Sequence, residues 1–492
     1  MVLTKRTPMI EGATMRDFRL PTKYCIVGGG PAGLVTARAF RRYGIETEII
    51  ERHAQPGGIW NKDQPGSPMY TSCNFISSRD FGGFIGYPMP SDYPMYPRWD
   101  QIRDYVQAFA RDFNLTSGGR FGVAVTKAWP VDTDDAGRYW QVQTSDGQTR
   151  SYRGVVVASG AQWDPVVPDI PGLSTFAGDV IHSAAYEGPA QFAGRNVLVV
   201  GAGNSGVDIV ADAAFHGRNA YLSTRRGYWF LPKYLFGLPV PDLMAGNIPP
   251  QTSGPLAGKT PAQIEQMIID SVGDLTVYGL PTPDHRLGAT HTIVNGQVIH
   301  CLAHGMLAHK PDIAEVREHS VLFSDGTEEA IDMIVLATGY NVSLPWLGDE
   351  LVPSAHGHPV THLGTFSPTQ RGLYFAGAIH FGGSTFPTFD RVVQLAAADA
   401  HAELTGENAD GMAHLRNDFH PDLTGGFPFL NIDRNANQVH LPALEEAFAT
   451  IAERYGVVIP SVHDRDFYQG QQDPGSRTHR HSCDIKIGGV VR

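Results

Sequence analysis

Short, continuous apolar runs that end in glycine punctuate this chain: YCIV before Gly28, VLVV before Gly201, GVVVASG at 154–160, DMIVLATG at 332–339 and GLYFAG at 372–377. A run that does not alternate with polar residues marks a strand covered on both faces, as in the parallel sheets of α/β proteins. The first run, Tyr24 to Val27, leads through GGGPAG into the apolar-striped LVTARAFRRYG, closed by Gly44, and then into IETEIIE. That order predicts a βαβ unit opening near residue 23. A second unit is written from Arg195 to Arg226 as RNVLVV, GAGNSG, VDIVADAAFHG and NAYLSTRR. Each unit implies a ligand site at the carboxyl end of its first strand.

Two further runs, 152–162 and 330–340, read as two returns of the chain to a shared region. RGLYFAGAIHFGG at 371–383 predicts another strand with a glycine exit, followed by a helix from about Phe389 to Leu404. The segment 228–300 is rich in proline and aromatics and has weak periodicity. It is read as a lid or substrate-side insertion, or as irregular packing, with a helical stretch from Pro261 to Ser271. Near the C-terminus LPALEEAFATIAERYG predicts a helix, and SRTHRHSCD a solvated tail.

Composition narrows the function classes. The 492 residues are 42% hydrophobic, enough for a sizeable core. Lys and Arg number 38 against 50 Asp and Glu, a net charge of −12 without a long basic block. That balance argues against nucleic acid as a partner, so anions must be captured locally. The four cysteines (Cys25, Cys73, Cys301, Cys483) show neither CxxC nor zinc spacing, so no disulfide scaffold and no metal site is expected. No apolar run is long enough to cross a membrane and the N-terminal residues lack an apolar signal core, so a cytoplasmic protein is the expectation.

The glycine turns carry the chemistry. In the first, Gly28 makes the tight turn, Gly30 lets backbone close on a pyrophosphate, and Gly33 lets helix and strand pack, with Pro31 and Ala32 between them at the helix start. Glu51 follows Gly28 by 23 residues, where a carboxylate grips a ribose diol and repels a 2′-phosphate. This turn therefore suits FAD or NAD. The second turn uses Gly201, Gly203 and Gly206, with Asn204 and Ser205 at the helix start, but its following strand ends in Arg225 and Arg226 instead of an acid. Two guanidiniums there match a 2′-phosphate, so this site is expected to prefer NADPH. A flavin in the first site and a nicotinamide in the second leave the electron acceptor open. Without CxxC a redox disulfide is excluded, and O2 leads.

With GGIW at 57–60 after Glu51, and Phe176, Gly178, His182 and Tyr186 spaced along FAGDVIHSAAY, the chain resembles the class B flavin-dependent monooxygenases, related to the Baeyer–Villiger monooxygenases. Tyr186, where the Baeyer–Villiger branch commonly has Trp, leans toward the flavin-containing monooxygenase branch. The resemblance implies an α/β fold of two dinucleotide-binding Rossmann-like domains, the NADP domain inserted into a discontinuous FAD domain. The boundaries expected are a polar leader (1–22), a first FAD section (23–175), the NADP domain (176–329) containing the 228–300 insertion, a second FAD section (330–410) and a C-terminal extension (411–492).

It also implies that NADPH reduces FAD, that the reduced flavin takes up O2 at C4a, and that one oxygen atom passes to nitrogen or sulfur of a small organic substrate. Ketone oxidation and an uncoupled oxidase are the alternatives, and a homodimer is compatible. Gly58, Trp60 and Gly339 join the expected cofactor-binding residues. His182 is expected as a coupling residue on the linker and stands with Asn74 among the catalytic candidates. The flavin-containing branch places an Asn a few residues after its Tyr–x–Ser stretch. Here YTSCNFISSRD has Ile76 at that position and Asn74 two residues earlier. The Baeyer–Villiger branch needs an active-site Arg, for which Arg79 and Arg391 are the candidates in this part of the chain.

Overall fold

The computed structural model describes residues 19–133 and 137–471. Most of the expected polar leader, the SRTHRHSCD tail and Cys483 lie outside the described residues. In chain order the strands of the two main sheets are β1 (Tyr24–Val27), β2 (Thr47–Glu51), β3 (Arg120–Phe121), β4 (Gly154–Val157), β5 (Asp179–His182), β6 (Asn196–Val200), β7 (Asn219–Ser223), β8 (Ala308–Lys310), β9 (Met333–Leu336) and β10 (Leu373–Phe375). The helices that matter here are α1 (Pro31–Arg42), α2 (Trp99–Asp112), α3 (Asn204–His216), α4 (Pro261–Val272), α5 (Thr385–Thr405), α6 (Ala409–Asn417) and α7 (Leu441–Tyr455).

The first sheet runs β10-β4-β1-β2-β3 and the second β8-β7-β6-β9-β5. Every pairing in both is parallel. The continuous apolar runs follow from burial on both faces. In the first sheet Tyr24, Ile26 and Val156 point into a core shared with α1, α2 and α5. Their neighbours Cys25, Val27, Val155 and Val157 face a second core with Trp140 and Tyr152, which come from a three-stranded antiparallel sheet (Val125–Thr133, Gly137–Thr144, Thr149–Tyr152). The second sheet repeats this plan. Val197, Val199, Met333 and Val335 pack with α3, and Leu198, Ile334 and Leu336 pack with Val316, Val321 and Phe323 of a smaller antiparallel sheet.

The run at 330–340 does not open the second section of the first domain, as its sequence suggests. Instead β9 pairs with β6 and β5, in the middle of the second sheet, and the chain rejoins the first sheet only at β10. The physical reason is that the 152–162 and 330–340 segments are counterparts in two sheets, not two visits to one. A Cβ on Gly28 would lie 2.3 Å from the Ala158 carbonyl oxygen, and a Cβ on Gly201 2.7 Å from that of Ala337. Each strand exit thus lies under its own glycine turn. The chain crosses between the sheets at Asp164–Pro165 and Tyr340–Asn341, and those two crossings pair antiparallel.

The helix expected from Phe389 is longer, starting at Thr385, and α4 and α7 fall where the sequence puts helices. Thr260 caps α4 by accepting from the Gln263 N–H. The insertion has a small core of its own: Leu231, Leu235, Val240, Leu256, Ile268 and Leu287. The C-terminal extension is not an appendage. Met412, Leu415, Leu444, Phe448, Ile451 and Tyr468 belong to the first-domain core. Tyr468 also closes a buried polar knot, donating its hydroxyl to Asp390 at 2.6 Å. Asp390 is ion-paired with Arg38, whose guanidinium lies 3.6 Å from the centre of the Tyr468 ring.

Candidate functional site

The two glycine turns share one design. Gly28 has φ +115° and Gly201 φ +102°, a region that favours glycine. Each donates its N–H across to the next strand, Gly28 to Ile50 and Gly201 to Ser223, both at 2.9 Å. A Cβ on Gly33 would stand 2.0 Å from the Gly28 carbonyl oxygen, and one on Gly206 2.1 Å from that of Gly201. These two glycines are helix–strand packing positions. Gly30 and Gly203 are the residues before α1 and α3, and neither helix has a side-chain cap, so their first-turn N–H groups stay available to an anion. Pro31 and Ala32 occupy the first turn of α1, and Asn204 and Ser205 that of α3.

Beside the first turn, Gly57 and Gly58 fold over Gly30. Gly58 has φ +58°, and a Cβ there would lie 2.9 Å from the Gly30 Cα. Glu51, at the end of β2 and buried, accepts from Gly29 N–H at 2.6 Å and His53 N–H at 2.8 Å, which orients its carboxylate beside the turn. The buried Ser159 hydroxyl at the β4 exit has no partner among the described residues. A cradle that any Cβ would fill, an anchored acid and an unmet hydroxyl fit FAD at this site. Trp60 is 9% exposed and its ring packs edge-on against Phe75 and Phe386 at 5.5 and 6.5 Å, which supports the loop from the core.

At the second turn the Asn204 Oδ1 is buried without a partner among the described residues. Arg225 is exposed and Arg226 half-buried directly after β7. Neither guanidinium makes an ion pair or hydrogen bond among the described residues. The strand edge that lacks an acid therefore carries two cations outside any ion pair or hydrogen bond among the described residues, Arg226 acting only through its charge on Asp284, which fits NADPH.

The two catalytic candidates, His182 and Asn74, both make backbone hydrogen bonds. The His182 Nε2 lies 3.0 Å from the Gly339 carbonyl oxygen and its Nδ1 accepts the Ala184 N–H at 3.1 Å, so Nε2 carries the proton. Burial lowers its pKa, against the hydrogen bond to the Gly339 carbonyl. Both nitrogens are thus committed to backbone, which couples the linker to the Gly339 exit. Gly339, at φ +89°, also takes the Val166 N–H at 3.0 Å and so anchors the crossing between sheets. Asn74 donates its Nδ2 to the Tyr96 carbonyl at 3.1 Å, while Ile76 is 41% exposed. Arg391 is ion-paired with Glu445 and stacked on Phe448, and Arg79 is held by Asp80 and the Ser91 and Tyr93 carbonyls. Both arginines therefore have carboxylate partners, although the buried Arg391 Nε has no hydrogen-bond partner among the described residues.

The sequence does not point to the seam between domains. Tyr70 donates to Asp208 at 3.0 Å, Tyr186 to Asp212 at 2.8 Å, and Ser72 to Asp212. Asn295 from the insertion reaches the other Asp208 oxygen at 2.7 Å. Thus α3 is tied to the 70–74 segment, the 176–186 linker and the insertion together. Burial pushes the Asp208 pKa up to about 6, against the opposing Lys233 charge and the hydrogen bonds from Tyr70 and Asn295.

An acid whose folded pKa is raised costs stability once the unfolded chain has ionised, so the cost grows from about pH 4 to about pH 6 and is constant above. Asp208→Asn is expected to remove that slope. Its melting temperature relative to the parent should rise between about pH 4.5 and about pH 6.5 and then level off. Parallel curves across that range would refute the assignment.

Residues 21–399 match the family model described as "Flavin-binding monooxygenase-like". Flavin-containing monooxygenase 5 of Rattus norvegicus is 28% identical over 340 residues, 67% of this chain and 64% of its own length. This chain thus spans less than two thirds of that relative. Flavin-containing monooxygenase 2 of Homo sapiens is 30% identical over 386 residues, 74% of this chain and 71% of its own. Among solved structures, cyclohexanone monooxygenase from Rhodococcus sp. Phi1 bound to NADP+ has a TM-score of 0.62 at 17% identity, covering 90% of this chain and 100% of its own, a likeness of fold. Among the described residues no helix is long and apolar enough to cross a membrane.

Proposed function

Because this chain belongs to the flavin-binding monooxygenase-like family, we propose that it is an FAD- and NADPH-dependent monooxygenase that transfers one atom of O2 to nitrogen or sulfur of a small organic substrate. The observation that carries this reading is the contrast between two matching glycine turns, one flanked by Glu51 and the other by the unpaired Arg225 and Arg226. Glu51 selects a ribose diol, and the arginines select a 2′-phosphate. When bound, FAD supplies the hydride acceptor and the activation of O2, chemistry that belongs to the cofactor.

The chain's own residues orient and seal. The N–H groups of α1 and α3 hold the two pyrophosphates, and the helix ends favour their negative charge. The seam of Tyr70, Ser72 and Tyr186 with Asp208 and Asp212 fixes α3 against the linker, which sets the approach of the nicotinamide. His182 and the Gly339 carbonyl lock the paired crossings, so the two turns keep their mutual placement. For a sulfur substrate the balance is thioether, O2, NADPH and a proton giving sulfoxide, water and NADP+. The hydride and proton reduce the second oxygen atom to water.

Nitrogen and sulfur are favoured over ketones by two features: Tyr186 closes the linker motif through a hydroxyl bound to Asp212, and Arg79 and Arg391 are already paired. One thioether, one tertiary amine and one cyclic ketone, each compared by product formed per NADPH consumed, test the branch. The thioether or amine is expected to give near-stoichiometric product and the ketone little. Lactone as the main product would overturn the nitrogen or sulfur assignment. Peroxide release with all three would make the protein an oxidase, the outcome expected if Ile76 leaves the oxygen chemistry unprotected.

A further inference from the structure

The segment from Leu430 to Val439 belongs to the C-terminal extension, beyond the family match that ends at 399, and it spans both halves of the molecule. At its start the Leu430 N–H donates to the Ala289 carbonyl of the insertion at 2.9 Å. Asn435, nine-tenths buried, donates its Nδ2 to the same carbonyl at 3.1 Å and to the Leu430 carbonyl at 2.9 Å. At its end the His380 N–H donates to the Asn437 carbonyl, and the Val439 N–H to the His380 carbonyl, each at 2.8 Å. His380 lies just past β10, on the exit from the first sheet. His356 meets Asp433 at 2.8 Å. A strap pinned at Ala289 and at His380 therefore crosses from the insertion to the first domain.

At the middle of this strap, the Arg434 Nη1 lies 3.8 Å from where a Cβ on Gly203 would stand, directly over the second glycine turn. Among the described residues its guanidinium has no ion pair or hydrogen bond. The side chain is accessible to solvent, yet the surrounding protein desolvates it and holds its pKa below the usual arginine value. Its charge also acts on His291, whose Nε2 is buried without a partner among the described residues and whose pKa burial pushes down to about 3, with the Arg434 and His380 charges adding to that effect. No carboxylate pairs with the Arg434 guanidinium among the described residues. A guanidinium without a counter-charge among the described residues is open to an anion. Placed over a row of helix N–H groups beside the unpartnered Asn204 Oδ1, it marks a position for an anion that the protein does not supply.

We infer that the C-terminal strap is a dinucleotide clamp, in which Arg434 binds the pyrophosphate of NADP from the side opposite the α3 N-terminus. The inference rests on the reading of the second turn as the NADP site and adds a residue from outside the matched family region. It divides recognition by position. Arg225 and Arg226 hold the 2′-phosphate at the end of β7, Arg434 holds the pyrophosphate over Gly203, and the strap ties that contact to the first domain through His380.

The test uses the flavin-loaded protein and calorimetric binding of two probes, NADP+ and 2′-AMP, which keeps the 2′-phosphate but lacks the pyrophosphate. Arg434→Ala should weaken NADP+ binding about 10- to 100-fold, the range for a lost charge-assisted contact, and leave 2′-AMP binding unchanged. Arg434→Lys should recover part of the loss, since charge remains while the fork is gone. The Arg225→Ala, Arg226→Ala double variant should weaken both probes. If Arg434→Ala binds NADP+ as the parent does, or more tightly, the clamp is refuted while the NADP site stands. If the parent binds neither probe, the NADP reading fails and the clamp with it. Equal losses for both probes in Arg434→Ala would show a general structural effect and also refute the clamp.

Discussion

Gly30→Val is expected to yield a folded protein without flavin. Gly30 has φ −77°, a conformation open to any L-residue, so the backbone survives the change. The added Cβ would sit 3.3 Å from the Gly58 Cα, and its branches would fill the space over the free N–H groups of α1 where the pyrophosphate must lie. FAD affinity should fall at least about 100-fold, equivalent to about 3 kcal/mol, with circular dichroism unchanged and no flavin absorbance in the purified protein. Gly33→Ala is the informative contrast. Its Cβ would be 2.0 Å from the Gly28 carbonyl oxygen, so this variant should fail through the fold and not through the ligand. Flavin co-purifying with Gly30→Val would show that the pyrophosphate turn has been misplaced.

The second large effect falls on coenzyme choice. Changing Arg225 and Arg226 together to Ala should raise KM for NADPH roughly 100-fold, the loss of two charge-assisted contacts, and change KM for NADH less than about 3-fold. Among the described residues neither side chain has an ion-pair or hydrogen-bond partner. Their removal therefore leaves no buried partner exposed, and the fold should be indifferent. An equal effect on both coenzymes would contradict the 2′-phosphate assignment.

Both predictions rest on features visible in the amino-acid order: a continuous apolar run, glycines at fixed offsets, and an acid or an arginine pair at the end of the next strand. Such features are local, because the strand-to-helix turn is made by neighbours in sequence. What the amino-acid order hides is not local. The exits VVVASG and VLATG look alike because each must pass beneath a glycine turn, and only the pairing of β9 with β6 shows that they serve different sheets. Trp60 follows two glycines of the cofactor loop, yet its ring turns inward against Phe75 and Phe386.

His182 carries a side chain suited to proton transfer, and the carbonyl that occupies it comes from a residue 157 positions away. The Asp208–Asp212 seam and the path of Arg434 to Gly203 also depend on contacts between distant segments. Neither α3 nor the 430–439 strap signals its partner in its own composition. The C-terminal extension, which the sequence presents as an addition, is part of the first-domain core through Leu444, Phe448, Ile451 and Tyr468.

The central claim is that two dinucleotide sites cooperate to deliver one oxygen atom to a nucleophilic substrate. Its most direct test is the thioether reaction run under isotopically labelled dioxygen with NADPH, measuring label in the product against NADPH consumed. The expected result is a sulfoxide carrying one labelled oxygen atom for nearly every NADPH oxidised. Rapid NADPH oxidation that yields only hydrogen peroxide, with no label in the thioether, would contradict it.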